Sequence, residues 1–159
     1  MKRKNDLEFL ENIIARLKQA SIPCLVFGGW AKELSCVIPP RPHGDVDLLY
    51  IANDFEKVDK FLRRESDIAE IATKHFPHKR AFVLEGIMIE LLLISRKGNK
   101  LLTDFWGEYK LQWPEINPVK IKSASNGQGV EVCPPDVVEY YHRHEKQIAE
   151  VRARHLPNH

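Results

Sequence analysis

The sequence lacks the features that mark membrane-spanning, secreted and disulfide-rich proteins. Its longest strongly apolar run, Ile87 to Ile94, is interrupted by Glu90 and is far shorter than the ~20 residues that a bilayer crossing needs. The basic N-terminus leads into an amphipathic segment rather than an apolar signal core. The three cysteines are widely spaced and form no Cys-x-x-Cys pair, so neither a disulfide framework nor a zinc site is indicated. We expect a cytoplasmic protein with no membrane partner.

Motifs for common phosphate and hydrolytic chemistry are absent as well. The chain has no G-x-x-x-x-G-K-[ST] loop, and Gly127-Gln128-Gly129 is a fragment of G-x-G-x-x-G without a following helix. It has no G-x-S-x-G elbow and no H-E-x-x-H pair, which argues against a serine hydrolase or a zincin. The formal net charge is only +2, and the basic residues are spread along the chain. A nucleic-acid partner is therefore not indicated.

What the sequence does contain is an ordinary globular composition. Its 159 residues are 43% hydrophobic and 29% charged, which suits a soluble chain with a buried core. That length corresponds to one domain of average size. We therefore expect a single domain over residues 1–159 with a single site.

Local patterns predict alternating helices and strands in the first half of the chain. Asn5 is a plausible N-cap for the first helix, and Glu8 stands where a capping box has its acid. Three prolines and a glycine between residues 38 and 44 require a constrained loop. The expected elements are a helix over 5–20, a strand over 23–27, a helix over 30–35, a strand over 45–51 and a helix from the capping signal at 53–56 to about residue 64.

The second half is predicted to be richer in strands. Two apolar runs flank Glu85-Gly86, which indicates a hairpin, while the aromatic segment 101–113 is ambiguous. The remaining expected elements are strands over 79–84, 87–95, 119–122 and 130–132, a turn over 126–129 and a last helix from Pro134 to about Val151. Together the patterns predict an α+β fold: a mixed, twisted β-sheet flanked by helices.

Asp45-Val46-Asp47 stands at the start of an apolar strand. On a strand, residues i and i+2 point to the same face, so both carboxylates can converge on divalent cations, which prefer oxygen ligands. An isolated D-x-D is more often two solvated acids at the end of a strand. The pair therefore needs support from elsewhere in the sequence.

Glu90 supplies that support. It interrupts a strand whose residues on both faces are otherwise apolar, as expected of a central strand buried on both faces. A buried carboxylate must meet a base, be protonated or face a metal. If Glu90 has no basic partner, Glu90→Gln should leave stability equal or higher; if it is a salt-bridge partner, the substitution should be costly. Either way, its strand should neighbour that of Asp45 and Asp47.

Gly28-Gly29 ends an apolar strand and opens a short helix. Glycine lets the backbone approach a ligand closely, and amides at a helix start can donate to phosphate oxygens. A Gly-Gly turn alone is usually only a turn. The order of the pieces is more specific: strand, Gly-Gly, helix, loop, D-x-D strand, helix, and a strand bearing a third acid.

This order resembles the nucleotidyltransferase superfamily with the DNA polymerase beta-like fold. Gly28-Gly29-Trp30 followed by Arg41-x-His43-x-Asp45-x-Asp47 is similar to the branch of aminoglycoside 2''-adenylyltransferases and lincosamide nucleotidyltransferases. Weaker similarity continues into the second half, at residues 113–115, 129–135 and 140–141. The resemblance therefore covers most of the chain.

The resemblance implies transfer of a nucleoside monophosphate, AMP for ATP as donor, from a nucleoside triphosphate to a hydroxyl of a small acceptor such as an antibiotic. Asp45, Asp47 and Glu90 would be the catalytic acids and the ligands of two magnesium ions. Glu90 would either complete the metal site or accept the hydroxyl proton, the latter if its apolar strand raises its pKa. The cofactor-binding residues would be Gly28, Gly29, Arg41 and His43, with His43 either positioning its loop, contacting nucleotide or lying exposed.

The sequence departs from that branch at Glu33, Val37 and Pro40, where it commonly has Asp, Gly and Thr. The long helical C-terminal domain of larger relatives is missing, so the acceptor would be held by the segment after Lys100, by a second subunit of a homodimer, or by both. A cationic acceptor would require an acidic cleft, and the acids offered for one are Glu33, Glu85, Glu108 and Glu115. Two alternatives stay open: an inactive regulatory or antitoxin module, and modification of a protein or nucleic-acid hydroxyl.

Overall fold

The computed structural model describes residues 3–122 and 129–156. Within these ranges the helices are α1 (Leu7–Gln19), α2 (Gly28–Leu34), α3 (Glu56–Arg64), α4 (Pro135–His142) and α5 (Glu145–His155), with a 3₁₀ turn at Ala72–Lys74. The strands are β1 (Cys24–Phe27), β2 (Val46–Ile51), β3 (Ile68–Glu70), β4 (Lys79–Leu84), β5 (Ile87–Lys97), β6 (Lys100–Phe105), β7 (Tyr109–Trp113), β8 (Val119–Ile121) and β9 (Val130–Val132). Among the described helices, none has the length and apolar content needed to cross a membrane.

The strands form one mixed sheet in the order β3-β4-β5-β2-β1-β9-β8. β2 runs parallel to β5, and β1 runs parallel to β9, while the other pairs are antiparallel. The far end of β5 also pairs with β6, which forms a hairpin with β7. The predicted α+β class with a mixed, open sheet and flanking helices is confirmed.

The hydrophobic core lies between the central strands and the helices that cover them. β2 and β5 contribute leucine and isoleucine side chains that are almost completely buried, and the apolar stripe of α1 packs into the same core. Burial of apolar surface at this scale is the main force that holds the sheet and helices together. The ends of β1, β2 and β5 are therefore held rigidly beside one another.

Two hairpins define the second half of the sheet. The predicted hairpin around Glu85-Gly86 is confirmed, and both turn residues have positive φ, +52° and +81°, as a type I′ turn requires. The ambiguous segment 101–113 is a second hairpin of β6 and β7, whose turn contains Trp106 and Gly107 with φ of +56° and +72°. Its aromatic content conceals the strand alternation in the sequence.

The prediction of Asn5 as the first N-cap is wrong. Asp6 caps α1 by accepting a hydrogen bond from the Phe9 amide at 2.9 Å. Asn5 instead ties the helix start to the proline-rich loop: its amide donates to the His43 and Asp45 carbonyls at 3.1 and 3.0 Å. Its side-chain oxygen accepts from Trp30 Nε1 at 3.1 Å. Asn5 is thus a connector rather than a cap.

The single closing helix predicted from Pro134 to Val151 is also wrong. The chain breaks at residues 143–144 into α4 and α5, and the His144 ring there meets the Tyr109 hydroxyl at 2.6 Å. The break lets α5 turn onto β6 and β7. The turn predicted over 126–129 lies mostly outside the described residues.

Candidate active site

Asp47 and Glu90 lie side by side on the parallel strands β2 and β5. Asp47 is the direct register partner of Glu90, and paired residues on adjacent strands ~4.8 Å apart project to the same face. The predicted neighbourhood of the two strands is confirmed. Asp45 immediately precedes β2 and is exposed, yet it is near enough to act electrostatically on Asp47.

Gly28 and Gly29 lie directly against the predicted site residues. Gly28 has a φ of +62°, and a Cβ there would stand 2.4 Å from Asp47 Oδ2 and 3.0 Å from Asp47 Cβ. A Cβ on Gly29 would stand 3.0 Å from His43 Nδ1 and 3.4 Å from Arg41 Nη2. The two glycines therefore let a carboxylate, an imidazole and a guanidinium pack against the backbone between β1 and α2.

Glu33 holds the proline-rich loop in place. Its Oε1 accepts a hydrogen bond from the Arg41 amide at 3.0 Å and meets His43 Nε2 at 2.9 Å. The His43 ring also lies 4.2 Å from the Trp30 ring, between their centroids, and its side chain is only 4% exposed. The alternative of an exposed loop histidine is therefore wrong, and His43 positions the loop.

The pKa of the Asp47 carboxyl is raised by its burial beside Glu90 and Asp45. Burial, together with the charges of Glu90 and Asp45, raises its pKa to about 6, although Lys79 and Lys74 partly oppose the shift. Burial and nearby like charges both favour the protonated form of a carboxyl. At neutral pH the folded protein thus holds a carboxylate that would be more stable in water.

Glu90 has basic partners, contrary to the hypothesis that it lies unpaired. Its oxygens lie 2.5 Å from Lys74 Nζ and 3.3 Å from Lys79 Nζ. Burial raises the pKa of the Glu90 carboxyl, but the hydrogen bond from Lys74 and the charge of Lys79 outweigh it, so that the net pKa is lowered. The condition that would favour Glu90 as proton acceptor, a pKa raised by its apolar strand, is therefore not met.

One of these two lysines could have been found in the sequence, because the Glu85-Gly86 turn sets the hairpin register. That register places Ala81 opposite Glu90 and hence Lys79, two residues earlier, on the same face. Lys74 lies on the 3₁₀ turn before β4, where no periodic pattern indicates its direction. The sequence carried no signal for it.

The carboxylates open into a cavity of about 420 Å³. Asp47 and Glu90 lie in its wall between the Gly28-Gly29 turn and an aromatic cluster. Its charged lining residues are the acids Asp47, Glu90 and Glu145 and the bases Lys32, Arg41, Lys74, Lys79 and Arg152. His43 lies in an adjoining pocket with Arg41.

The donor chemistry of this wall fits magnesium. The ion takes carboxylate oxygens, and Asp47 and Glu90 supply them in the wall. Asp45 is exposed and is not among the lining residues, but its charge acts on Asp47. A cation there would relieve the repulsion that raises the pKa of Asp47. Among the described residues, the group of three whose carboxylate and imidazole atoms all lie within 4.8 Å of one another is instead Asp59, Glu70 and His75. There Arg80 already binds Asp59 through two nitrogens.

Comparison with solved structures shows the fold of nucleotidyltransferases. The chain is similar to the lincosamide antibiotic adenylyltransferase LnuA in a lincomycin-bound structure, with a TM-score of 0.69 and 11% identity over 94% of this chain and 98% of that one. It is similar to ANT(2'')-Ia in complex with adenylyl-2''-tobramycin, with a TM-score of 0.60 and 12% identity over 87% and 76% of the two chains. An antigenic nucleotidyltransferase-like protein from Paracoccidioides brasiliensis gives a TM-score of 0.50 and 21% identity over 95% and 76%.

No protein-family model matches the chain, and no curated protein matches its sequence. The fold implied by the resemblance that was inferred from the Gly-Gly and D-x-D motifs is confirmed by the solved structures. At identities this low, what any of these proteins binds or modifies does not pass to this chain.

Gly28→Ala tests the contact between the glycine turn and Asp47, with Gly98→Ala as its matched control. Both glycines have a φ of +62°, but a Cβ at Gly98 meets nothing within 4 Å. Backbone strain should cost each variant about 1 kcal/mol, and Gly28→Ala should lose a further ~1–3 kcal/mol because Asp47 must move. Urea unfolding measures both, and equal losses would contradict the contact.

Asp47→Asn and Glu90→Gln should change stability in opposite directions at pH 7.5. The raised pKa of Asp47 means that its folded state favours the proton, so stability falls as pH rises from about 4 to 6 and the penalty is complete above that range. Asp47→Asn should therefore add about 1–3 kcal/mol at pH 7.5. Glu90→Gln should lose about 1–3 kcal/mol, since two lysines lose their partner.

Urea unfolding of both variants and the parent without metal, at pH 7.5 and pH 4, checks these signs. The lowered pKa of Glu90 stabilises the fold above its unfolded pKa of ~4.3 and ceases to do so as pH falls through the folded value. Both differences should thus shrink at pH 4. A stabilised Glu90→Gln variant would show that the lysine contacts do not form in solution.

Proposed function

We propose that the chain is a metal-dependent nucleotidyltransferase that moves a nucleoside monophosphate, AMP from ATP, to a hydroxyl group of a small molecule. The observation that carries this proposal is the pairing of Asp47 with Glu90 at the wall of a cavity, with Asp47 packed against Gly28. The nucleotidyltransferase fold supports it. The reacting unit is the single domain of residues 1–159.

The triphosphate would bind on the Gly28-Gly29 side of the carboxylates. The amides of the two glycines would donate to phosphate oxygens, and Arg41 and Lys32, which line the cavity there, would match their negative charge. Arg41 can offer a bidentate contact. His43 and Glu33 act one step away by holding the loop that carries Arg41.

Transfer would form one bond and break another. The acceptor hydroxyl oxygen would bond to the α-phosphorus, the bond from that phosphorus to the bridging oxygen would break, and pyrophosphate would leave with the electron pair. The hydroxyl proton would pass to a carboxylate oxygen of the site. Asp45, Asp47 and Glu90 are the residues that would hold two magnesium ions, which supply charge neutralisation of the phosphates when bound.

Lys74 and Lys79 would have a second use during this cycle. They neutralise Glu90 when no cation is present. Once a cation shares the Glu90 carboxylate, both ammonium groups would be released toward the phosphates or the acceptor.

The acceptor class suggested by the structural neighbours is an antibiotic, since their names specify lincosamide and tobramycin compounds. The alternative of a protein or nucleic-acid hydroxyl would need a basic surface beside the carboxylates. The basic side chains here line the cavity itself, where the donor triphosphate accounts for them. The homodimer and the cytoplasmic location stay predictions from the sequence.

The test is a screen of hydroxyl-bearing acceptors with labelled ATP and magnesium, in which transfer appears as a mass shift of the acceptor. Asp47→Asn should abolish transfer, because the amide keeps the volume but loses the charge that binds magnesium. Asp136→Asn makes the same change at an exposed site on α4 and should leave the rate unchanged. Transfer by Asp47→Asn within a few-fold of the parent would contradict the proposal, and ATP binding without transfer to any acceptor would favour the inactive module.

A further inference from the structure

One wall of the cavity is an aromatic cluster. Trp106 lies at its centre, with ring centroids 4.9 Å from Phe76 and 4.4 Å from His78. His78 also lies 5.0 Å from Phe105. Phe105 and His78 are almost fully buried, whereas Trp106 and Phe76 are only partly buried. The indole stacks on the His155 ring, with centroids 5.0 Å apart, and it also lines the cavity, so the part of it that His155 does not cover can meet a ligand.

Trp106 holds this position through a strained backbone. Its φ is +56° at the turn between β6 and β7, a conformation uncommon for a bulky side chain. Such strain persists where the surrounding structure or a function maintains it. A smaller residue or glycine would satisfy the turn at lower cost.

Two imidazole nitrogens in the same cavity have no hydrogen-bond partner among the described residues. They are His78 Nδ1 and His142 Nε2, and both atoms are buried. Burial, with the charges of Lys79 and Arg152, lowers the pKa of His78 to about 4, so its ring is neutral at pH 7. Buried polar atoms are rarely left unpaired, and a hydroxyl-bearing ligand in this cavity would supply their partner.

The order of the strands places this wall opposite the phosphate side. From β1 through β2 and β5 to β4, the site presents Gly28, then Asp47, then Glu90, then the segment with Lys79 and His78. In phosphoryl transfer the attacking and leaving oxygens lie roughly in line. With pyrophosphate leaving at the glycine side, the acceptor must approach from the aromatic side.

The cavity offers few free acids to an acceptor with several positive charges. None of the four acids offered by the sequence for an acidic cleft lines it in the described part of the chain. Glu33 binds His43, Glu85 pairs with Arg3, and Glu108 pairs with Arg154 and His155, while Glu115 is exposed. Besides Asp47 and Glu90, the acid that lines the cavity is Glu145, whose carboxylate meets His142 at 2.5 Å. The positive charge of Arg152, which also lines the cavity, balances the negative charge of Glu145.

We propose that the acceptor is a hydroxyl-bearing compound with an apolar ring face and at most one positive charge, which stacks on Trp106 and hydrogen-bonds to His78 and His142. This inference rests on the proposed nucleotidyl transfer and specifies its acceptor. Trp106 is then the residue that determines specificity, by selecting compounds with an apolar ring face over polycations such as tobramycin. Aromatic stacking and desolvation supply its selectivity.

The test compares the binding of two probes by calorimetry in the presence of magnesium. 4-Nitrophenyl glucoside is neutral and carries an aromatic ring, whereas tobramycin is a polycation without one. The parent should bind the glucoside at least tenfold more tightly than tobramycin. Trp106→Ala should weaken the glucoside at least tenfold, while Trp106→Phe should stay within about threefold because it keeps an aromatic face. Tyr140→Ala, an aromatic truncation outside the cavity lining, should change nothing.

ATP affinity, measured in the same variants, separates this inference from the proposed function. It should be unchanged by Trp106→Ala. If Trp106→Ala weakens ATP as much as the glucoside, or if ATP displaces the glucoside, the wall holds the nucleotide base and the inference is overturned. Tighter binding of tobramycin than of the glucoside by the parent also overturns the inference. In either case, ATP binding by the parent would still support the proposed function. If Trp106→Ala does not fold, the ratio of the two probe affinities in the parent decides alone.

Discussion

The parallel pairing of β2 with β5 is the constraint on which the site depends, because its register places Asp47 beside Glu90. Two carboxylates on adjacent strands repel each other, and their partial burial leaves less water to screen the charges. The fold accommodates them unequally. Glu90 receives two lysines, whereas Asp47 lies against a glycine that offers it no cation.

The different surroundings of Asp47 and Glu90 connect the stability of the fold to the binding of a cation. A carboxylate held with a raised pKa lowers the stability of the metal-free protein, and binding of a cation would recover that energy. The rigid core beneath β2 and β5 maintains the arrangement, since core side chains close-packed on both strands resist displacement. A site that is destabilising without its ligand is the usual compromise between stability and activity.

Much of this could be predicted from the sequence, because periodicity and turn residues are local signals. The sequence correctly predicts the Gly28-Gly29 turn, the D-x-D strand and the hairpin that carries Glu90. The partners of Glu90 depend on tertiary placement: Lys74 lies on a 3₁₀ turn that has no periodic pattern. The aromatic wall depends on tertiary placement for the same reason, since Trp106 contacts His78 across the sheet formed by the pairing of β6 with β5.

The most direct test of the central claim is the number of manganese ions that the chain binds with a non-hydrolysable ATP analogue, counted by electron paramagnetic resonance. Manganese shares magnesium's preference for oxygen ligands. If Asp45, Asp47 and Glu90 are the ligands, the parent should bind two ions per chain, and Asp45→Asn and Asp47→Asn should each lose at least one. A single ion in the parent, carried by the nucleotide and retained in both variants, would contradict the account.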